Sequence, residues 1–190
     1  MADEKMIFKE IEFKYDAQDV SMNKFVELME TFKIDNKMLV SSYDDYFIDS
    51  NNNFIRYRHH STRGELTIKR KTNVNNNNER IEVNVPTEGN NLKAVTAFVD
   101  LLGYKYNFGI YKTCNIFWID KVVMVYYVVY DKELKEKRRF IEIEANEELP
   151  WESEDLAWAE IEKYEALLAP LGVTPKNRLK KSLYEIFKKP

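Results

Sequence analysis

Glu10-Ile11-Glu12-Phe13-Lys14 is the stretch from which the fold is read. Successive side chains of a strand point to opposite faces. As a strand, this segment puts Glu10, Glu12 and Lys14 on one face and Ile11, Phe13 and Tyr15 on the other. Two carboxylates and an ammonium in one row are poor core material, but they suit a metal ion and a phosphate. A single such strand could equally be a solvated sheet face, where polar-out alternation is the ordinary pattern. The segment gains meaning because the pattern recurs.

Residues 54–60 alternate Arg56, Arg58 and His60 with Ile55 and Tyr57. Residues 65–71 alternate Glu65, Thr67, Lys69 and Lys71 with Leu66 and Ile68. Residues 79–85 alternate Arg80, Glu82 and Asn84 with Ile81, Val83 and Val85, and Pro86 is expected to stop that strand. Residues 138–145 set Glu142 and Glu144 against Ile141, Ile143 and Ala145. Lys112 has the same sense on a long strand over 104–119, expected to bend near Gly109.

Strands over 7–15, 38–49 and 122–130 bring the number to eight. Turns are expected at Asn51 to Asn53, Thr62-Arg63-Gly64, the Asn-rich run at 75–78 and Asp120-Lys121. Ser21 caps a helix reaching about Phe32, and residues 92–102 form a helix closed by Gly103. Two further helices are expected over 153–168 and 176–188. Short connections imply antiparallel pairing.

If the charged faces turn inward, the sheet is a closed barrel with a charged lumen, which would be costly without water, metal or ligand. Lys14, Arg56, Arg58, Lys69, Lys71, Arg80 and Lys112 then form a cationic clamp suited to phosphate oxygens. Glu10, Glu12, Glu82, Glu142 and Glu144 supply the hard oxygen donors that Mg²⁺ or Mn²⁺ prefers. Both signs in one site fit a polyphosphate–metal complex.

The composition bounds this reading. The 190 residues carry 29 Lys and Arg against 32 Asp and Glu, a net charge of −3, which argues against general nucleic-acid binding. Cys114 is the single cysteine, so no internal disulfide forms. No apolar run approaches a membrane span or a signal peptide, and the expectation is a cytoplasmic protein with no membrane partner. One domain over 1–190 is expected, with its C-terminal helices starting near 153. His59 and His60 are weak acid–base candidates, His60 the better by parity. Trp118, Trp151 and Trp158 are expected to pack helices on the barrel, and the basic stretch at 176–181 to be a solvated helix face.

The ordered set, Glu10-Ile11-Glu12-Phe13-Lys14, Phe54-Ile55-Arg56-Tyr57-Arg58, Leu66-Thr67-Ile68-Lys69, Arg80-Ile81-Glu82 and Phe140-Ile141-Glu142-Ile143-Glu144, resembles the CYTH, or triphosphate tunnel metalloenzyme, superfamily. Lys181-Ser182-Leu183-Tyr184-Glu185 is similar to its C-terminal Ser-Tyr element. The resemblance implies an α+β fold: an eight-stranded antiparallel closed barrel, with surrounding and C-terminal helices. It implies a triphosphate partner such as ATP, with Mg²⁺ or Mn²⁺. Glu10, Glu12 and Lys14 would be catalytic; Glu10, Glu12, Glu142 and Glu144 would include the metal ligands; Lys14, Arg56, Arg58, Lys69, Arg80 and Lys112 would hold phosphates.

Family members include class IV adenylate cyclases, thiamine triphosphatases, tripolyphosphatases and RNA 5′-triphosphatases. Hydrolysis is the first expectation, cyclisation of ATP to cyclic AMP and pyrophosphate the second, and binding without turnover the third. An RNA 5′-triphosphate is less favoured, and a homodimer is left open. Two departures stand out: Cys114 occupies a position usually Arg, and Tyr127 one usually Asp.

Overall fold

The structure, a computed structural model, describes residues 8–60, 63–73, 76–88, 91–131, 136–146 and 149–188. Side chains at 8, 9, 70–73, 76–80 and 136 fall outside that description, so Lys71 and Arg80 are located by backbone only. In chain order the elements are β1 (Phe8–Asp16), α1 (Met22–Met29), β2 (Asn36–Ile48), β3 (Phe54–His59), β4 (Arg63–Asn73), β5 (Asn76–Glu88), α2 (Leu92–Leu101), β6 (Lys105–Ile119), β7 (Val122–Asp131), β8 (Glu136–Ala145), α3 (Glu154–Ala166) and α4 (Leu183–Phe187).

The eight strands close into an antiparallel barrel in the order β1-β5-β4-β3-β2-β6-β7-β8. β1 makes the closure by dividing its pairing. Residues 8–11 ladder with β5, and residues 12–16 ladder with β8. In a barrel, inward and outward residues alternate along every strand. The β1 register therefore sends Ile11, Phe13 and Tyr15 outward and Glu10, Glu12 and Lys14 into the lumen.

The outward side is the larger core. Ile11, Phe13, Met124, Tyr126, Ile141 and Ile143 pack beneath α1 and α3. Ser21 starts α1 by accepting from the Lys24 amide, which lets Phe25 and Met29 reach that core. Ser153 starts α3 in the same way through the Leu156 amide. Each fully buried aromatic or aliphatic side chain here is worth about 1.5–3 kcal/mol. A second outer cluster joins Phe47, Ile55 and Tyr57 to Val95 and Val99 of α2. Gly103, at φ 87°, ends α2 in the left-handed conformation that glycine tolerates.

Several boundaries differ from the sequence expectation. Pro86 does not stop β5, which runs on to Glu88. Among the described residues, β5 beyond Glu82 ladders only with β4, and a strand with one free side accommodates a residue lacking an amide hydrogen. Arg63 and Gly64 belong to β4 rather than to a turn. A β-carbon on Gly64 would overlap the Tyr57 hydroxyl, so glycine there serves a close approach. The bend expected near Gly109 is a register shift between β2 and β6, where Tyr46 faces Phe108 and Phe47 faces Tyr106.

The largest difference lies at the C-terminus. Residues 176–188 are not one helix. A 3₁₀ turn over Pro175–Asn177 leads into an extended segment, and α4 begins only after Ser182. The extended segment is held by β1: the Leu179 amide donates to the Lys14 carbonyl at 2.7 Å, and Arg178 bridges to Tyr15. No described helix is long and apolar enough to cross a membrane.

Candidate functional site

The lumen encloses a cavity of about 320 Å³. Glu10, Glu12, Lys14, Arg56, Arg58, Lys69, Glu82, Lys112, Glu142 and Glu144 all line it. The rows read from distant stretches of sequence thus converge on one space.

Register explains the convergence. Glu12 lies opposite Glu144, and Lys14 opposite Glu142, because β1 and β8 are antiparallel neighbours. One carboxylate oxygen each from Glu12, Glu142 and Glu144 come within 4.8 Å of one another. Lys14 is the adjoining cation, 3.1 Å from Glu12 and 2.8 Å from Glu142. Glu10 and Glu82 stand apart from this triad and bracket Lys69, at 2.6 and 2.5 Å. Arg56 donates to Thr67 at 2.8 Å and lies 3.8 Å from Glu82. The Lys112 ammonium sits 3.8 Å from the centre of the Tyr127 ring.

The carboxyl groups respond differently to this crowding. Burial raises the Glu144 pKa, and the charges of Glu142, Glu12 and Glu10 raise it further, well above the usual carboxylate range. Burial also pushes Glu142 upward, but Lys14 and Lys112, with the Tyr127 hydroxyl donating at 2.7 Å, hold it well below that range. Glu82 is lowered to about 2, because Lys69 and Arg56 outweigh its burial.

Hard oxygen donors at this separation, one of them held toward its protonated form by burial and by its carboxylate neighbours, fit a divalent cation. Glu12, Glu142 and Glu144 are thus the residues that could hold one.

Cys114 and Tyr127 face each other directly across β6 and β7, both buried. Burial pushes the Cys114 thiol up, which keeps it protonated. Neither histidine lines the cavity. His59 points outward between the Tyr43 and Tyr57 rings and bonds Asp45 at 2.8 Å. Trp151 and Trp158 pack on the outer core as expected, whereas Trp118 faces inward and lines the cavity. Arg178 is not a solvated lysine-like charge: it pairs with Glu165 and lies 3.6 Å from the Phe13 ring centre.

Sequence reading missed one contributor and gave no role to three others. Asp44 is fully buried and accepts two bonds of 2.8 Å from Arg58. Its signal was the alternation of Ser42, Asp44 and Tyr46 on β2, masked by the adjacent Asp45. Thr67 and Asn84 bond at 2.7 Å beside Arg56. Tyr184 of α4 stacks on Phe54 at 4.5 Å and lies near Tyr46 and Phe108. This aromatic group closes part of the lumen, and α4 is seated there by a capping box between Ser182 and Glu185.

Compared by sequence, the chain matches no family model and no curated protein. Compared by structure, it resembles several solved proteins. A conserved hypothetical protein from Pyrococcus furiosus has a TM-score of 0.72 and 19% identity over 94% of this chain and 99% of that one. A candidate adenylate cyclase from Vibrio parahaemolyticus has a TM-score of 0.64 and 13% identity, over 93% and 96% of the two chains. A chain of the Schizosaccharomyces pombe Mediator head module has a TM-score of 0.59 and 10% identity, over 86% and 96%. These likenesses concern fold, which by itself does not fix chemistry. With eight antiparallel strands closed around acidic and basic rows, the chain shares the fold of these solved proteins.

Proposed function

We propose that this chain is a divalent-metal-dependent enzyme that binds a triphosphate inside the barrel and hydrolyses it. The observation that carries the reading is the Glu12, Glu142 and Glu144 triad set beside Lys14 in a cavity also lined by Arg56, Arg58, Lys69 and Lys112. Mg²⁺ or Mn²⁺, when bound, would polarise phosphoryl oxygens and lower the pKa of coordinated water. The chain's own residues hold and orient the phosphates. Lys14, Lys69 and Arg56 already face carboxylates, so an incoming metal–triphosphate exchanges partners with pairs of both signs. The barrel walls limit bulk water around the phosphates and strengthen each of these contacts. Tyr127, by donating to Glu142, orients that carboxylate toward the triad.

Cyclisation of ATP is the second reading. The likeness to the candidate adenylate cyclase from Vibrio parahaemolyticus favours it. Incubating the protein with ATP, thiamine triphosphate, tripolyphosphate or 5′-triphosphate RNA, with Mg²⁺ or Mn²⁺, and separating the products tests both. Free phosphate is expected. Cyclic AMP with pyrophosphate and no free phosphate would replace hydrolysis by cyclisation. Binding without any product would leave a nucleotide- or polyphosphate-binding protein. Arg56→Ala is expected to weaken triphosphate binding, read by calorimetry, more than it slows the bound substrate.

A further inference from the structure

The lumen has two unlike faces. The inward rows of β1, β3, β4, β5 and β8 are largely charged, as described above. Beyond Lys112 and Cys114, β6 and β7 contribute Ile116, Trp118, Val123 and Val125 to the same cavity. Ile116 pairs with Val125, and Trp118 with Val123, so the four form one continuous panel. Across the next ladder Val123 lies opposite Glu144 and Val125 opposite Glu142. An apolar panel therefore shares its edge with the carboxylate triad.

A chain of phosphates is hydrophilic along its whole length and gains nothing from such a panel. A triphosphate ester gains from it, because its phosphates can lie on the charged face while its organic group covers the apolar one. Trp118 is only half-buried, and its indole is the largest flat surface in the panel. Flat rings stack on indole with little regard for their edge pattern.

Resting on the triphosphate reading of the site, we propose that the substrate is a triphosphate ester bearing a planar organic group, and that Trp118, with Ile116 and Val123, selects it over inorganic tripolyphosphate. Trp118 is then a specificity-determining residue and takes no part in the phosphoryl step.

The test compares ATP with tripolyphosphate, by kcat/KM for substrate consumption and by calorimetric binding in the presence of Mg²⁺. The wild-type protein is expected to prefer ATP. Trp118→Ala should lower kcat/KM for ATP by about 10-fold or more and change tripolyphosphate by less than about 2-fold. Trp118→Phe should keep most of the ATP preference. Ile116→Thr, a smaller change in the same panel, should shift the preference in the same direction and covers the case of an unfolded alanine variant. Equal or better use of tripolyphosphate by the wild type, or an equal loss for both substrates in Trp118→Ala, overturns the inference and leaves the triphosphate reading standing. Failure to bind or consume either compound removes both.

Discussion

Asp44 and Arg58 face each other across β2 and β3, the carboxylate without solvent contact and the guanidinium partly open to the cavity. Burial alone would push Asp44 up, but Arg58, with Arg56 and Lys112, holds it well below the usual carboxylate range. A depressed carboxyl stabilises the fold above its unfolded value of about 4, and that contribution is lost as pH falls through the folded value. Asp44→Asn should therefore destabilise the protein by about 2 kcal/mol near neutral pH, judged by urea unfolding, and the gap from wild type should narrow in acid. A gap that widens in acid contradicts this assignment. Glu12 belongs to the same scale but to another property. Glu12→Gln keeps the shape and removes a charge from the triad, and should cut metal-dependent turnover by about 10- to 100-fold with little change in melting temperature.

At the scale of elements, strand alternation was legible because the apolar positions of β1, β3 and β8 recur every second residue. The inward β2 row was not, since Asp44 and Asp45 are adjacent and carry equal charge to opposite faces. The C-terminal segment was misread for a different reason. Its residues have helical spacing, yet the Leu179 amide is taken by the Lys14 carbonyl, a partner no local pattern reveals. That docking aims α4 at the lumen, where Leu183, Tyr184 and Phe187 are buried. Ser182 caps α4 by accepting from the Glu185 amide at 3.2 Å, while its own amide donates to the Glu185 carboxylate at 2.8 Å. Ser182→Ala is expected to cost about 1 kcal/mol. Because Tyr184 lines the cavity, the same variant should also weaken triphosphate binding; full stability with unchanged affinity would show that α4 is not held this way.

For the whole molecule, closure turns separate rows into one electrostatic system, and that property was only conditionally readable: the rows were visible, their convergence was not. Three carboxylates share a small volume, and Glu144 carries the consequence by tending to keep its proton. A carboxyl raised in the folded state binds more protons than in the unfolded chain, so stability falls as pH rises from about 4 toward the folded value. A divalent cation bound by the triad would relieve that repulsion by displacing the proton. The melting temperature should therefore rise on adding Mg²⁺ or Mn²⁺, and the increment should grow from acid toward neutral pH. A larger increment in acid would mean that the cation binds elsewhere.

The divided pairing of β1 also limits how this chain can vary in length. Its first half is registered to β5 and its second half to β8, so two independent ladders fix the same short run. One residue inserted between positions 10 and 13 would turn Lys14 outward and Phe13 inward, because side chains alternate with a period of two. It would also place an ammonium against the apolar packing of α3 and an aromatic ring among the carboxylates. The Asn51 to Asn53 connection, exposed at the end of a hairpin, carries no such constraint. Drift by insertion and deletion is thus channelled to the loops, and Glu10 through Lys14 can change by substitution but scarcely by length.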